Sequence, residues 1–280
     1  MSNQDLISIL LPVLNGQDSI YNAIDSILNQ SHKNFELIII NDGSTDSTAE
    51  IITNYSIIDN RIKIITNPKN IGIVKSLNLG IDFSNGKYIA RQDADDYSHP
   101  LRLEIMLNAL NKYKYDLLSS TANYLIENLN IPQNLNNTNL IIKDINLNRG
   151  NPIVHGSILI NAIILKKNKY DENIKLVEDF ELWYRLQNSG YKLGILNLPL
   201  YNYKTQIYQT KYFEQYLISL QITNKHYQIK FINNRIFNLY FKKLYELSIK
   251  YYMKSLITKN YLFANFYKSL SLIIFPFKLL

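Results

Sequence analysis

The residues of this chain best equipped for chemistry stand in the string Gln92-Asp93-Ala94-Asp95-Asp96. Asp93 and Asp95 are two positions apart, and Asp96 follows directly. Three like charges so close disfavour one another's ionisation. The cluster is tolerable when it is well solvated, or when a divalent cation sits among its oxygens. A plainer reading is also open, because Asp95-Asp96-Tyr97-Ser98-His99-Pro100 is good turn sequence. A second acidic pair, Glu178 and Asp179, opens the amphipathic stretch from Val177 to Leu186. There it is either ordinary charge at a helix start or a source of general base. Asp42 ends an apolar run and leads into Gly43-Ser44-Thr45-Asp46, so it is a turn aspartate, a helix cap or a ligand.

These groups need a frame that gathers them. Leu6–Val13 and Phe35–Ile40 read as strands buried on both faces, Ile62–Ile65 as a third strand and Tyr88–Ala90 as a fourth. Between them Asp18–Gln30, the stretch from Asp46 or Ser47 through Tyr55, and Asn70 to about Asp82 have helical spacing or caps. Strands alternating with helices of ten to fifteen residues predict a mostly parallel sheet. Open sheets of this kind bind ligands at the carboxyl ends of their strands. That edge would receive Asn15, Asp42 and the Gln92–Asp96 string. Further on, Asn123–Asn148 is rich in asparagine and reads as an irregular connection. Ile153–Ile160 reads as a strand carrying His155. After Tyr201 the pattern becomes helical and basic.

Composition sets outer bounds. With 280 residues the chain holds one large domain, or one domain and an appendage. It has no cysteine, which excludes disulfides and thiolate metal sites and fits a reducing compartment. The start, Met-Ser-Asn-Gln-Asp-Leu, has no secretory pattern. No run of about 18 apolar residues predicts a membrane span. Residues 201–280 hold 12 Lys and Arg against 2 Asp and Glu, while the whole chain is only +7. The basic surplus therefore belongs to one segment, with 20 of the 33 Tyr and Phe. That segment either packs as solvated helices or attaches to an anionic membrane surface, where each Lys or Arg contributes roughly 1 kcal/mol. No nucleic-acid motif accompanies it, so no nucleic-acid partner is expected.

Five short strings together resemble the family 2 glycosyltransferases. They are Pro12-Val13-Leu14-Asn15-Gly16; Asn41-Asp42-Gly43-Ser44-Thr45-Asp46; Asn70-Ile71-Gly72 with Leu77-Asn78-Leu79-Gly80; Gly86 to Asp96; and Glu178-Asp179-Phe180-Glu181-Leu182-Trp183. Each is weak alone, but five in order over roughly residues 6–205 are specific. The resemblance implies a glycosyltransferase A-type fold, a nucleotide-binding α/β sandwich with a mostly parallel central sheet. It also implies inverting transfer from a nucleotide-diphospho-sugar. The expected division is a catalytic domain, 1–205, and a basic aromatic helical region, 206–280.

By that resemblance Asp95 ligates Mn²⁺ or Mg²⁺, and Asp93 contacts the donor ribose or assists the metal. Asp96 contacts the sugar or caps the next helix. His155 faces the metal or the pyrophosphate, or is structural. Asp42 meets the uracil edge, Pro12 and Asn15 shape the loop near the base, Gly72 allows close backbone approach, and Asn78 completes the donor set. Asp179 is the general base and Glu178 positions the acceptor. Trp183 is a sugar platform or core. Arg91 serves the phosphates or pairs with the carboxylates. A Gln-x-x-Arg-Trp motif and membrane spans, which mark the processive members, are not found, so transfer of one sugar or a few is expected.

The expected enzyme is thus a hexosyl- or N-acetylhexosaminyl-transferase using a UDP-sugar. Its acceptor is a glycan or lipid-linked acceptor in bacterial surface polysaccharide synthesis, lipopolysaccharide or capsule. Its expected place is cytoplasmic, peripheral on the inner face of the cell membrane. The alternatives are a nucleotide-binding pseudoenzyme, for which the acidic residues would have been lost, and a membrane-surface scaffold acting through the tail. A nucleotidyltransferase would need a Gly-rich, Arg-containing loop after the first strand, which Leu14-Asn15-Gly16-Gln17 does not supply.

Overall fold

The computed structural model describes residues 5–125, 141–147 and 151–204. The expected basic region, 206–280, lies outside the described residues, as does 126–140 of the expected irregular connection.

Ile7–Val13 (β1) is apolar at every position but Ser8 and is buried on both faces, as a central parallel strand must be. Phe35–Asn41 (β2), Ile62–Thr66 (β3) and Tyr88–Arg91 (β4) are parallel to it in the order β3-β2-β1-β4. The helices Ile20–Leu28 (α1), Thr48–Ile58 (α2) and Ile73–Phe83 (α3) connect them. Tyr97–Ser98 (β5), Arg102–Tyr113 (α4), Leu117–Leu125 (β6), Ile142–Asp144 (β7), Leu159–Asn161 (β8), Ala162–Asn168 (α5), Glu178–Asn188 (α6) and Leu193–Lys204 (β9) follow. They extend the sheet beyond β4 as β8-β6-β9-β5, with β7 also on β9. β8, β5 and β7 run against the other strands, so the sheet is mostly parallel.

Alternation along β1 builds two layers. Ile7, Ile9, Leu11 and Val13 join Ile20, Ile24 and Ile27 of α1 and Leu103 and Met106 of α4 in one core. Leu10 and Ile40 instead abut Gly80 of α3. Each buried Leu or Ile contributes about 1.5–3 kcal/mol. The strands are thus a firm base for the polar loops at their ends.

Proline is unusual in a central strand because it cannot donate to the ladder. Here Gln92 N–H donates to Leu10 O and Asp42 N–H to Val13 O. Even-numbered β1 residues therefore face β4, and odd-numbered ones face β2. The β4 ladder ends at Leu10 opposite Arg91. Pro12 comes after that point, so its missing N–H breaks no bond, and β1 and β4 part company there.

Two expectations need correction. The stretch Ile153–Ile160 is strand only at its end. His155–Ser157 is a 3₁₀ turn, closed by Ser157 N–H to Val154 O at 2.9 Å. The buried Ser157 hydroxyl also bonds Ser119 Oγ and Ser120 O, which an extended strand would not allow. In addition, β6 runs to Leu125 and β7 forms at Ile142–Asp144, so both ends of the expected irregular connection are partly strand. No helix among the described residues is long and apolar enough to cross a membrane.

Candidate active site

A crevice follows from the parting of β1 and β4, the point where strand order reverses, and ligands of open α/β sheets bind at such points. On one side the loops after β1 and β2 interlock. Asn15, with φ 53°, donates its N–H to Ser44 Oγ at 3.0 Å and accepts from Thr45 N–H on Oδ1 at 2.8 Å. Gly16 N–H reaches Thr48 Oγ1 at 2.8 Å. Asn15 thus shapes this loop, as expected, by its own side chain. Pro12 is buried within β1. It shapes the loop's departure.

Asp42 is buried and accepts from Asn67 Nδ2 at 2.9 Å, Ile71 N–H at 2.9 Å and Gly72 N–H at 3.0 Å. It ties β2 to the entry of α3. Gly72 has φ 92° and ψ 153°, a conformation essentially confined to glycine. An added Cβ there meets no heavy atom within 4 Å, so open space lies above it. Asn78 is elsewhere engaged. Its Nδ2 donates to Tyr170 O at 3.0 Å and its Oδ1 accepts from Tyr170 N–H at 3.1 Å. Its amide thus supports the framework beneath the expected donor contact.

On the other side of the crevice the acidic string rests on two buried arginines. Arg91 is 4% exposed and donates through Nη1 to Asp93 Oδ2 at 2.6 Å. Burial opposes its charge, but Asp93 beside it more than compensates, and its pKa is raised. Of its two expected roles, pairing with a carboxylate is the one observed. Arg102, at the start of α4, is fully buried. It donates to Gln92 Oε1 at 3.1 Å, Ser98 Oγ at 2.6 Å and Arg91 O at 2.6 Å. Its guanidinium lies 5.1 Å from the Tyr201 ring centroid, and burial lowers its pKa to about 10. The Tyr201 hydroxyl accepts from Asp93 N–H at 3.0 Å. An added Cβ on Gly156 would collide with that hydroxyl and with the Asp93 carboxylate, so the 3₁₀ turn packs directly on the string.

The three carboxylates are therefore unequal. Asp96 is buried, the Asp93 side chain is 24% exposed, and Asp95 is exposed. Among the described residues no three His, Cys, Asp or Glu side chains gather into a metal cage. A Mg²⁺- or Mn²⁺-type ion needs only one or two carboxylates when phosphates and water supply the other oxygens. Asp95 and Asp93 fit that demand. His155 does not join them through Nε2, which meets Tyr170 Oη at 2.6 Å. Burial, then the Arg91 charge, puts its pKa well below the ordinary value. Nε2 is thus engaged within the protein, and any metal contact at His155 would fall to Nδ1.

The third part is the start of α6. Val177 supplies no side-chain cap, and Glu178 and Asp179 fill the first turn, where negative charge suits the helix dipole. Leu176, just before, has φ 72°, a strained value for a bulky residue. Asp179 accepts from Asn151 Nδ2 at 2.9 Å. Burial, then the Glu178 charge, raises its pKa to about 6. Arg91, Asp179, Glu178 and Asp93 all act on the Tyr170 phenol, so the charges of the acidic string and of the start of α6 are felt by one buried group. Trp183 is 0% exposed and packs edge-on against His155 and Tyr170. It is core, which corrects the expected acceptor contact.

Sequence reasoning missed Arg102, Tyr170 and Tyr201. An arginine in the first turn of a helix opposes the dipole, and that misfit was a usable signal for Arg102. Tyr170 and Tyr201 carry none, since each acts on residues distant in the chain.

The family model described as "Glycosyl transferase family 2" matches residues 8–168. An uncharacterised glycosyltransferase of Methanocaldococcus jannaschii, MJ1057, is 31% identical over 273 residues, covering 93% of this chain and 92% of the relative. Among solved structures, S. aureus TarS 1–349 in complex with UDP-GlcNAc superposes with a TM-score of 0.60 at 17% identity, covering 78% of this chain and 66% of that one. The mannosyltransferase PcManGT of Pyrobaculum calidifontis, in complex with GDP-Man and Mn²⁺, superposes with a TM-score of 0.62 at 12% identity, covering 80% and 65%. At these identities the likeness is one of fold.

Proposed function

The chain belongs to glycosyl transferase family 2 and is a glycosyltransferase; from that premise we propose that it moves one sugar, with inversion, from a UDP-sugar to a hydroxyl of a glycan or lipid-linked acceptor. The observation that carries this reading is Asp179. Its carboxyl has a pKa raised to about 6, stands at the start of α6, and acts on the same buried phenol as the acidic string. A base of that pKa is largely ionised at neutral pH yet basic enough to take a proton in the transition state.

The step is a single displacement. As the acceptor oxygen attacks the anomeric carbon, its proton passes to Asp179. The bond from that carbon to the diphosphate oxygen breaks, and the nucleoside diphosphate leaves with the electron pair. Glu178 orients the acceptor. The base and ribose lie along Asn15, Asp42 and the open space above Gly72. Asp95 and Asp93 would hold Mn²⁺ or Mg²⁺, which supplies Lewis-acid stabilisation to the leaving diphosphate. TarS with UDP-GlcNAc and PcManGT with GDP-Man and Mn²⁺ support the donor class and the metal. The acceptor is assigned to surface polysaccharide synthesis, lipopolysaccharide or capsule, at the inner face of the cell membrane. The basic surplus of 201–280 supports attachment to anionic lipid there.

The test is calorimetric titration of the protein with UDP-N-acetylglucosamine, UDP-glucose, UDP-galactose and GDP-mannose, with Mn²⁺ and with chelator. Metal-dependent binding of one UDP-sugar, lost in Asp95→Asn, together with turnover lost in Asp179→Asn, is expected. Near-normal turnover by Asp179→Asn would remove that residue from the role of base.

A further inference from the structure

Tyr170 lies in neither helix nor strand, two residues after α5 ends at Asn168. Even so, it is held from three sides. Its backbone N–H and C=O both bond the Asn78 side chain of α3. Its hydroxyl meets His155 Nε2 at 2.6 Å. Its ring packs at 5.5 Å from the His155 ring and edge-on at 6.4 Å from Trp183. Trp183 in turn lies edge-on at 5.9 Å from His155. The backbone clamp, the phenol contact and the ring packing together leave the side chain one position.

A tyrosine that only filled the core would bury a hydroxyl at a cost that phenylalanine avoids. Here the hydroxyl is instead aimed at an imidazole. The turn that carries this imidazole packs on Asp93 and Tyr201 through Gly156.

We propose that Tyr170 is a positioning residue of the transfer reaction, holding the His155 imidazole, and with it the turn that packs on Asp93, in one orientation. This rests on the transferase reading above. A tyrosine hydroxyl can donate to Nε2 or accept from it, so the contact fixes the place of the ring whichever tautomer is present. The α3 framework thus reaches the acidic string through a chain of contacts from Asn78 to Tyr170 to the His155 turn, whose Gly156 abuts Asp93.

The experiment uses the full chain and Tyr170→Phe, which keeps the ring and the Asn78 clamp. Nucleoside diphosphate release is followed with UDP-N-acetylglucosamine, UDP-glucose, UDP-galactose and GDP-mannose in turn, with Mn²⁺ and with water in place of the acceptor. For the donor turned over, kcat should fall roughly tenfold, as misplacement of a reacting group does, with donor KM and melting temperature unchanged. In a His155→Gln background the same substitution should cost nothing further, because Tyr170 acts through His155. Nitrogen NMR of histidine-labelled protein reads the claim without any donor. In Tyr170→Phe the His155 Nε2 resonance should shift, since that nitrogen loses its hydrogen-bond partner.

A wild-type kcat in Tyr170→Phe, an equal loss in the His155→Gln background, or an unchanged His155 spectrum would each overturn the proposal. The transferase reading itself is judged by the wild type and Asp179→Asn. If the wild type released no nucleoside diphosphate from any of the four donors, that reading would fall and this one with it.

Discussion

The buried Arg91 guanidinium holds the Asp93 carboxylate at 2.6 Å, which sets Asp93 apart in kind from Asp95 of the same string. Asp93 belongs to an internal ion pair, whereas Asp95 is exposed at the crevice. Asp93→Asn removes the counter-charge of a buried cation. It should cost about 1–3 kcal/mol, read as a lower urea midpoint. Asp95→Asn, at an exposed side chain, should cost less than that while losing Mn²⁺-dependent binding of the donor. Equal stability of the two variants would refute the distinction.

Asp179 should give the reaction and the stability opposite pH trends. Its carboxyl titrates near 6 in the folded chain against 3.8 for the ordinary group. The folded state therefore holds this proton more tightly than the unfolded state. The contribution is fully present below the unfolded value and is lost as pH rises through about 6. Transfer needs the ionised form, so its rate should rise over the same window. Asp179→Asn should abolish transfer and raise the melting temperature at neutral pH relative to wild type. In acid, below 3.8, the two should melt alike.

Arg102 is a floor under the acidic string. Arg102→Met keeps the length and apolar stem but strips donors from Gln92 Oε1, Ser98 Oγ and Arg91 O. Losing three charge-assisted bonds inside the protein should cost about 3 kcal/mol, measured by denaturant unfolding, and weaken donor binding. Tyr201→Phe removes a single acceptor, that of Asp93 N–H, and should cost about 1 kcal/mol.

Two glycines should fail for different reasons. Gly156→Ala drives a methyl into the Tyr201 hydroxyl and the Asp93 carboxylate, so donor and metal binding should suffer most. Gly72→Ala has open space around its methyl. It meets only the strain of φ 92° and ψ 153°, about 1–3 kcal/mol, read as a drop in melting temperature.

Local information already fixes much of this protein. The doubly apolar runs around Ile9 and Ile38, the short run at Ile64 and the helical spacing of Ile20, Ala23, Ile24 and Ile27 specify the alternating elements, because side-chain periodicity follows from backbone geometry. The order of those elements implies a parallel sheet and delivers Asn15, Asp42 and Asp93 to Asp96 to its carboxyl edge. The start of α6 at Glu178 and Asp179 is equally local.

Partnership was decided only by the tertiary structure. His155 meets Tyr170, Asn78 clamps the same tyrosine from 92 positions away, and Asp93 N–H finds Tyr201 from 108. Trp183, four residues beyond Asp179, turned inward to the core. An aspartate, histidine or asparagine carries the same donors and acceptors wherever it stands. Which of them is left for a substrate depends on what the folded chain has already brought within hydrogen-bonding distance.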